Sequence, residues 1–219
     1  MRDHRAGLYE KVVKRCLDII CALTAILLFW WVYTILALLV RIKLGSPVIF
    51  RQERVGKNEK EFMLYKFRSM TDERDERGEL LPDSERLTKF GKLLRASSLD
   101  ELPEFFNILK GEMSLIGPRP LPTEYKEYYN DLERHRHDVL PGLSGWAQVN
   151  GRTAIGWEER FCFDVDYVNR ISFGLDMKII FLTIKKVFEH ADIVEAGNQG
   201  DFSDFRKKQW SQADEVRNR

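Results

Sequence analysis

The chain has 219 residues and a formal net charge of +1, from 35 Lys and Arg residues against 34 Asp and Glu residues. A chain of this length can bury one substantial core, and its balanced charge argues against a nucleic-acid-binding protein, which usually carries a strongly basic face. The cysteines, at positions 16, 21 and 162, are odd in number and form no C-x-x-C motif. This pattern argues against a disulfide framework or a zinc site and favours reduced thiols.

The first predicted element is an uncharged, mostly apolar run at residues 19–40. At about 22 residues it is long enough, as a helix, to cross the hydrocarbon core of a bilayer, and no small-residue cleavage site follows it, so we expect a retained membrane anchor. Asp18 is expected at the membrane interface, near Lys14 and Arg15.

The topology of this run stays open on the residues alone. Basic residues flank both of its ends, and the positive-inside rule draws both toward the cytoplasm. A re-entrant helix satisfies both ends, whereas a spanning helix satisfies only one. Against a sharp bend, the run contains no proline or glycine and carries Trp30-Trp31 at its middle.

A short β-hairpin is predicted next, from strands at 47–55 and 61–68 joined by a turn at 56–58. A charge-rich loop is expected at 71–85. Apolar periodicity then predicts helices at 87–97, 102–110, 124–138, 157–169 and 175–190. Gly111 is the expected C-cap of the second of these.

The remaining segments are predicted as irregular structure. A glycine-rich loop around a short strand is expected at 141–152, and the polar residues after 196 predict a loosely ordered tail. The fold class is α+β, with a mostly helical single catalytic domain, a short β-hairpin, a membrane-inserted helix and interfacial amphipathic helices. The expected boundaries are 1–44 for the anchor, 45–194 for the catalytic domain and 195–219 for the tail.

The chemistry is concentrated in the adjacent carboxylates Asp100 and Glu101. One interpretation is structural, because Ser98 and Glu101 fit the S-x-x-E capping box and acids are favoured in a first helical turn. The other is catalytic, with one carboxylate attacking a phosphorus while its neighbour holds Mg²⁺, an ion that prefers one or two carboxylates plus substrate phosphate oxygens. The pair alone does not decide between them.

Basic residues near this pair suit phosphate binding, since guanidinium and ammonium groups stabilise phosphate charge. They are Lys66, Arg68, Arg95 and Arg119. A solvated surface charge is the default interpretation of any single one, except Arg119, whose backbone is restricted by prolines on both sides. His135 and His137 form an H-x-H pair that points to different sides of a helix and is expected on an exposed face rather than at a metal.

Several long motifs, in order along the chain, carry a family resemblance. They are KR-x-x-D at 14–18, Q-x-R-x-G at 52–56, YKFRSM at 65–70, SLDELPEFFNILKGEMSLIGPRP at 98–120 and HRHDVLPGLSGWAQVNGR at 135–152. With these motifs the chain resembles the bacterial sugar transferase family over residues 14–193. It is most similar to the small monotopic polyprenyl-phosphate phosphoglycosyl transferases, such as the enzyme that initiates bacterial N-linked protein glycosylation.

The resemblance implies a reaction and a site. Such enzymes transfer a phosphosugar from a UDP-sugar to polyprenyl (undecaprenyl) phosphate, releasing UMP, through a covalent phosphosugar-aspartate intermediate, in the first membrane step of glycoconjugate assembly. Asp100 matches the nucleophile and Glu101 the Mg²⁺ ligand. The other matching positions contact substrate: Lys66, Arg95 and Arg119 at phosphate, and Gln148 and Arg152 near the nucleotide and sugar. Direct attack by the lipid phosphate is the rival mechanism.

The resemblance also implies a place in the cell and a set of partners. The enzyme would sit in the bacterial inner membrane with its catalytic domain facing the cytoplasm, and it would contact UDP-sugar, polyprenyl phosphate and membrane lipid. Downstream glycosyltransferases and a second copy of the chain are further candidate partners. Minimal members often carry Ser-Pro where this chain has Trp30-Trp31, yet the resemblance still favours a re-entrant helix. The alternative function is an inactive membrane scaffold that binds lipid phosphate or a partner glycosyltransferase.

Overall fold

The computed structural model describes residues 6–151, 155–188 and 200–217. The chain divides into two units. The first, called here the acidic-turn unit, consists of Arg15–Gln52 and Met63–Met113. The second, called the arginine-loop unit, consists of Met1–Lys14, Glu53–Phe62 and Ser114–Arg219.

The long helix α1 (Arg15–Lys43) contains the predicted apolar run. With the π-helical turn Tyr9–Lys14 before it, this is the one helix among the described residues that is long and apolar enough to cross a membrane. Its mean hydropathy over an 18-residue window is 2.3. Ten of its large apolar side chains are exposed, and Ala22, Leu36 and Val40 are its only buried apolar residues, as expected of a segment that faces lipid. The helix is kinked at Phe29, where φ is −106° and ψ is 15°, although no proline or glycine is present.

The kink at Phe29 divides α1 into a first arm, before it, and a second arm, after it. The core of the acidic-turn unit forms on the second arm. Its buried members are Leu36, Val40, Leu44, Phe67 and Leu94. Because these residues come from α1, from a strand and from a later helix, burying them fixes the C-terminal arm of the apolar segment against the rest of its unit. The first arm, by contrast, buries only Asp18 and Ala22.

The predicted β-hairpin is present, with β1 (Ile49–Val55) and β2 (Glu61–Phe67) in a two-stranded antiparallel sheet. Short helices follow: α2 (Asp83–Arg86), α3 (Lys89–Ala96) and α4 (Glu104–Lys110). Thr88 caps α3 by accepting a hydrogen bond from the Gly91 amide. Gly111 ends α4 in the left-handed region at φ 85°, which confirms the predicted C-cap.

The arginine-loop unit contains a second sheet that the sequence did not predict as such. Strand β3 (Ser114–Ile116) pairs in parallel with β4 (Gly142–Ser144), in the register Ser114 to Gly142 and Ile116 to Ser144. The short strand expected within 141–152 is therefore confirmed. Its partner was missed because a three-residue strand inside a longer motif gives no alternation to detect.

Helices complete this unit: α5 (Asp131–Arg134), α6 (Trp146–Asn150), α7 (Trp157–Arg170), α8 (Phe173–Phe188) and α9 (Phe202–Arg217). They pack into an aliphatic core around Ile116, Val168 and Ile179, and into an aromatic core around Tyr129, Phe161 and Phe202. The predicted helices at 157–169 and 175–190 correspond to α7 and α8.

Two predictions for this unit are wrong. The single helix expected at 124–138 is instead a 3-10 turn at Thr123–Tyr128, then α5, then another 3-10 turn at His135–His137. Asn130 starts a new capping box with Glu133 and so interrupts the run. The loosely ordered tail expected after residue 196 contains α9, whose Phe202 and Arg206 are buried, while residues 189–199 lie outside the described part of the chain.

Candidate active site

The acid pair lies on a single 3-10 turn, Leu99–Glu101, that precedes α4. Asp100 is buried and Glu101 is half-buried. Ser98 adopts a left-handed conformation, with φ 56° and ψ 17°, and its side chain makes no capping hydrogen bond. The capping-box interpretation is therefore wrong. The pair is held by a separate turn rather than by the first turn of the helix.

One ammonium group connects the acid pair to the neighbouring helix. Lys66 Nζ lies 2.7 Å from Glu101 Oε1 and 3.1 Å from Glu104 Oε1. Glu104 is buried, with 3% of its side chain exposed, whereas Lys66 and Glu101 each keep 17% exposed. The arrangement gives Lys66 two anionic partners, so its contact with Glu101 can be exchanged while Glu104 continues to hold it.

Asn107 fixes the place from which Lys66 projects. This side chain is fully buried, accepts a hydrogen bond from the Tyr65 amide at 3.1 Å and donates one to the Met63 carbonyl at 2.7 Å. It thereby takes the place of a third strand beside β2. Because residues 63 and 65 are bound in this way, Lys66 is aimed at the carboxylates on the segment 101–104.

The two predicted arginines of this unit are placed differently. Arg95 is exposed on α3 and donates to the Ser69 hydroxyl at 2.8 Å, so its guanidinium is oriented at the surface. Arg68 is buried and donates to Asp72 at 2.8 Å. Arg95 therefore remains the better candidate for a substrate phosphate, and Arg68 has a structural partner.

Both arms of α1 contact the segment that carries the acid pair. Arg15 donates to the Ile108 and Leu109 carbonyls at the end of α4, at 2.6 and 3.0 Å, and Tyr33 donates to the Leu102 carbonyl at 2.8 Å. A straight helix would place residues 15 and 33 about 27 Å apart, whereas residues 102 to 108 cover about 9 Å of helix. The kink at Phe29 therefore allows both arms to reach one short helix.

Two predicted substrate contacts, Arg119 and Gln148, belong to the arginine-loop unit. Arg119 is half-buried in the loop Gly117–Pro120, and its carbonyl accepts a hydrogen bond from Arg136 at 2.7 Å. Gln148 donates to the Leu143 carbonyl at 3.2 Å, while its Oε1 atom is buried and has no hydrogen-bond partner among the residues that the structure describes. Arg152 lies outside the described residues.

Burial and neighbouring charges shift the pKa values of both Arg136 and His137. Burial acts to lower the pKa of Arg136, but the Asp164 carboxylate outweighs it, so the pKa is raised and the group stays charged. Burial, followed by the charge of Arg136, lowers the pKa of His137 to about 2, and this histidine is therefore neutral. His137 is only 4% exposed, so the exposed face predicted for the histidine pair is wrong for this residue.

The carboxylates of the acid pair fit a magnesium ion by the chemistry of their donors. Their oxygens are the ligands that Mg²⁺ prefers, and the ion commonly takes one or two carboxylates and completes its shell with phosphate oxygens and water. Among the described residues no cluster of three or more His, Cys, Asp or Glu side chains is placed for a metal. Glu101, the ligand that the resemblance implies, would hold the ion jointly with substrate phosphate oxygens.

A second apolar surface, on α8, accompanies the apolar segment of α1. Its members recur at helical spacing and are exposed: Phe173, Met177, Phe181 and Ile184. Leu8 is also exposed, as are Val12 and Val13 of the π-helical turn Tyr9–Lys14, and the Tyr9 ring meets Phe173 edge-on at 6.1 Å. A contiguous exposed stripe of this kind is typical of a helix that lies on a lipid surface, in agreement with the amphipathic helix predicted there.

The family described as bacterial sugar transferase matches residues 9–190. The chain belongs to the bacterial sugar transferase family. It is 52% identical over 182 residues to the uncharacterized sugar transferase EpsL of Bacillus subtilis, with 80% of this chain and 87% of the relative covered. The resemblance drawn from the motifs is confirmed.

More distant relatives carry names that describe a reaction. A UDP-glucose:undecaprenyl-phosphate glucose-1-phosphate transferase of Xanthomonas campestris is 41% identical over 194 residues, covering 82% of this chain and 39% of the relative. A UDP-N-acetylgalactosamine-undecaprenyl-phosphate N-acetylgalactosaminephosphotransferase of Aeromonas hydrophila is 41% identical over 186 residues, covering 80% and 43%. The chain thus spans about two fifths of these two relatives.

In each unit the sequence alone does not single out buried residues that hold the candidate side chains in place. Glu104 and Asn107 fall within the predicted helix at 102–110, and Arg136 lies between the two histidines predicted on an exposed face. All three residues are buried and bonded. For Asn107 a signal existed, because an amide inside the apolar run FFNIL needs hydrogen-bond partners if the run is buried. For Arg136 the partner Asp164 is 28 residues away, and no local pattern predicts it.

Proposed function

We propose that this protein transfers a phosphosugar from a UDP-sugar to undecaprenyl phosphate and releases UMP. The observation that supports this most directly is the pair Asp100 and Glu101 on its own turn, with Lys66 2.7 Å from Glu101. Two relatives with about two fifths identity are named for this reaction with different sugars. The choice of sugar is therefore left to experiment.

In the proposed mechanism Asp100 is the nucleophile. A carboxylate oxygen of Asp100 attacks the sugar-bearing phosphorus of the donor, the bond from that phosphorus to the bridging oxygen breaks, and UMP leaves with the bonding electrons. A phosphate oxygen of the lipid then attacks the same phosphorus. The bond to Asp100 breaks, and the carboxylate is regenerated. Neither step needs a proton to be removed, because in both the attacking oxygen belongs to an anion.

Both steps bring an anion toward an anionic phosphate, so cations at the site lower the barrier. Lys66 supplies an ammonium group beside Glu101, held by Glu104 on its other side. Arg95, and Arg119 in the other unit, are proposed to bind phosphate oxygens through their planar guanidinium groups. Gln148 and Arg152 are proposed to contact the nucleotide or sugar. Mg²⁺, held by Glu101, would supply further charge neutralisation at the phosphate oxygens.

The reaction is tested by measuring UMP release with a panel of UDP-sugars, including UDP-glucose and UDP-N-acetylgalactosamine. The purified protein is incubated with undecaprenyl phosphate in nanodiscs, with and without Mg²⁺. We expect UMP with at least one sugar, and loss of the signal when the metal is chelated. If no sugar in the panel released UMP from the folded protein, the enzyme hypothesis would be abandoned in favour of a scaffold that binds lipid phosphate.

The covalent step has a separate test. The protein is incubated with the active UDP-sugar and Mg²⁺ but without lipid, and its intact mass is recorded. We expect an added mass equal to one phosphosugar. Unmodified protein under conditions that support turnover with lipid would favour direct attack by the lipid phosphate.

We also propose that α1 is a re-entrant helix in the bacterial inner membrane, with the catalytic residues on the cytoplasmic side. The kink at Phe29 and the contacts of Arg15 and Tyr33 with the α4 segment support this topology. In right-side-out and inverted vesicles, a membrane-impermeant thiol reagent should label Cys16 and a Ser46→Cys variant from the same side as Cys162. Labelling of Cys16 and position 46 from opposite sides would establish a spanning helix instead.

A further inference from the structure

The loop Gly117–Pro120, which presents Arg119, and the residue on either side of it are bound through five backbone carbonyls. Donors from strands, turns and helices of the arginine-loop unit all converge on it. The bonds are Tyr167 hydroxyl to Ile116 O (3.2 Å), Gly142 amide to Pro118 O (3.0 Å), Arg136 Nη2 to Arg119 O (2.7 Å), Arg54 Nη1 to Pro120 O (3.3 Å) and Val55 amide to Leu121 O (3.0 Å). Such a set leaves the backbone little freedom to shift.

Arg136 differs from the other donors because it is a fully buried charge. Only 1% of its side chain is exposed, and 2% of that of its partner Asp164. Its Nε and Nη2 atoms donate to Asp164 Oδ2 at 3.0 and 2.8 Å, and Nη2 also donates to the Arg119 carbonyl. The Tyr129 and Phe161 rings lie against the guanidinium at 5.8 and 5.6 Å. The group is thus locked in one orientation.

A buried ion pair of this kind is weak support for stability, because desolvating both charges offsets most of their attraction. An apolar pair of similar volume could fill the same space. What an apolar pair could not do is donate a charged hydrogen bond to a chosen carbonyl. That carbonyl belongs to the residue between two prolines, whose own φ angles are already fixed by their rings.

We propose that Arg136, oriented by Asp164, is a positioning residue that aims Arg119 at a substrate phosphate. The inference rests on the phosphate-binding role proposed above for Arg119. It gives a function to two motifs that the catalytic residues leave unexplained, since Arg136 lies in HRHDVLPG and Arg54 in the Q-x-R-x-G motif. Both motifs supply guanidinium donors to carbonyls of the same loop.

The test is a double-mutant cycle on UMP release with Arg119→Ala and Arg136→Lys. Lysine keeps the positive charge opposite Asp164 but has no planar fork to bind the carboxylate and the carbonyl together. We expect Arg136→Lys to lower kcat/KM by on the order of ten- to a hundredfold, since a small misplacement of a positioning group has effects of that size. In the Arg119→Ala background the same change should have almost no further effect, because the misplaced group is already absent.

A matched control is available in Arg134, which also donates to a carboxylate, Glu59, at 2.5 Å and to a backbone carbonyl, that of Lys126, at 3.1 Å. Neither partner belongs to the loop of Arg119. Arg134→Lys should leave kcat/KM within about twofold of wild type and independent of Arg119, as expected for an uncoupled surface pair. If Arg136→Lys fails to fold, the combination Arg136→Met with Asp164→Leu, which removes both charges, replaces it in the cycle.

The outcomes separate the two hypotheses. If the losses from Arg119→Ala and Arg136→Lys multiply in the double variant, Arg136 acts independently and the positioning role is overturned while the phosphate role of Arg119 stands. Wild-type kcat/KM in a folded Arg136→Lys variant would also overturn it. Wild-type rates in Arg119→Ala would remove the phosphate role itself, and with it the positioning role. If Arg136→Lys lowers kcat/KM in the wild type but has almost no effect in the Arg119→Ala background, the result supports both the phosphate role of Arg119 and the positioning role of Arg136.

Discussion

In the acidic-turn unit one ammonium group, that of Lys66, is shared between the carboxylates of Glu101 and Glu104. In the arginine-loop unit the buried cations instead have one carboxylate each. The pairs are Lys14 with Asp176, Arg136 with Asp164, and Arg206 with Glu133. Each of these pairs is almost fully buried, whereas Lys66 and Glu101 both keep part of their surface exposed.

The difference reflects two ways of using charge. A shared, partly exposed ion pair can exchange one partner for a phosphate or a metal without leaving a buried charge alone, because the second carboxylate remains. A fully buried pair cannot exchange partners, but it can hold a backbone group in place, as Arg136 holds the Arg119 carbonyl. Changes to the shared pair should therefore act directly on the chemistry. Changes to a buried pair should lower stability or, where the pair holds a backbone group, disturb the positioning of a neighbouring side chain.

The largest effect is expected from Asp100→Asn, which removes the proposed nucleophile but keeps its shape. We expect kcat for UMP release to fall by at least about 10⁴-fold, the size seen when a covalent nucleophile is removed from an enzyme. The thermal midpoint should stay close to wild type, and the phosphosugar adduct should be missing from the intact mass.

Asp83→Asn is the matched control, because this carboxylate belongs to the same unit and is exposed on α2. It should retain wild-type turnover. Near-normal UMP release from Asp100→Asn would show that another group is the nucleophile. The acidic turn would then no longer be the part of the molecule that reacts with substrate.

The next effect concerns stability, in the arginine-loop unit. Phe202 is completely buried, with the rings of Phe161, Trp157 and Tyr125 centred 5.0, 5.2 and 5.3 Å away. Phe202→Ala should lower the free energy of unfolding by about 3–4 kcal/mol, from lost burial and the cavity left behind. The measurement is denaturant unfolding in detergent micelles, followed by tryptophan fluorescence.

Trp210→Ala, on the same helix, is the control, because this ring is 48% exposed. Its loss should lower the free energy of unfolding by under about 1 kcal/mol. Equal effects of the two variants would mean that α9 contributes to the fold through its whole length and not through the aromatic core.

The acid pair and Phe202 also show what could and could not be predicted from the sequence. The acid pair belongs to a long motif whose residues are close along the chain, so the sequence alone is enough to form the hypothesis that this pair carries the chemistry. The order of the C-terminal segment has no such local signal, because Phe202 gains its stability from Tyr129, Phe161 and other rings that are distant in sequence. The low aliphatic content after residue 196 predicts a loosely ordered tail, but the segment is held by one aromatic residue, Phe202, that is buried in the aromatic core.

Capping boxes give the same lesson at shorter range. Ser98 with Glu101 and Asn130 with Glu133 have the same spacing, yet only the second pair forms a capping box. At Ser98 the chain turns left-handed and Pro103, one residue before α4, sets the helix start, so the side chain is not placed to accept from a helical amide. A local pattern names the residues able to cap, and the surrounding backbone decides which ones do.

The third prediction separates the two uses of Lys66. Lys66→Met should reduce kcat/KM by about a hundredfold, the typical effect of losing one charged group that stabilises a transition state. It should also lower stability, because Glu104 would be left buried without its cation. Adding Glu104→Gln should restore much of the thermal midpoint while activity stays low. Recovery of both together would make Lys66 a structural residue only.

The smallest effect is a pH dependence set by the arginine-loop unit. Burial and Arg136 lower the pKa of His137 to about 2, from an ordinary value of 6.5. Below pH 6.5 the unfolded chain therefore binds a proton that the folded chain does not, so the stability that this group contributes is present above pH 6.5 and is lost as the pH falls. By pH 5 the loss from this one residue should be about 2 kcal/mol.

Unfolding measured at pH 7 and pH 5, for wild type and for His137→Gln, isolates that contribution, since every other titrating group is common to both proteins. The wild type should lose about 2 kcal/mol more than the variant between the two pH values. An equal loss in both would mean that His137 is protonated in the folded protein. Arg136 would then lie beside a second positive charge. The buried charges of the arginine-loop unit would in that case include one that changes with pH, and the contrast with the acidic-turn unit would be weaker.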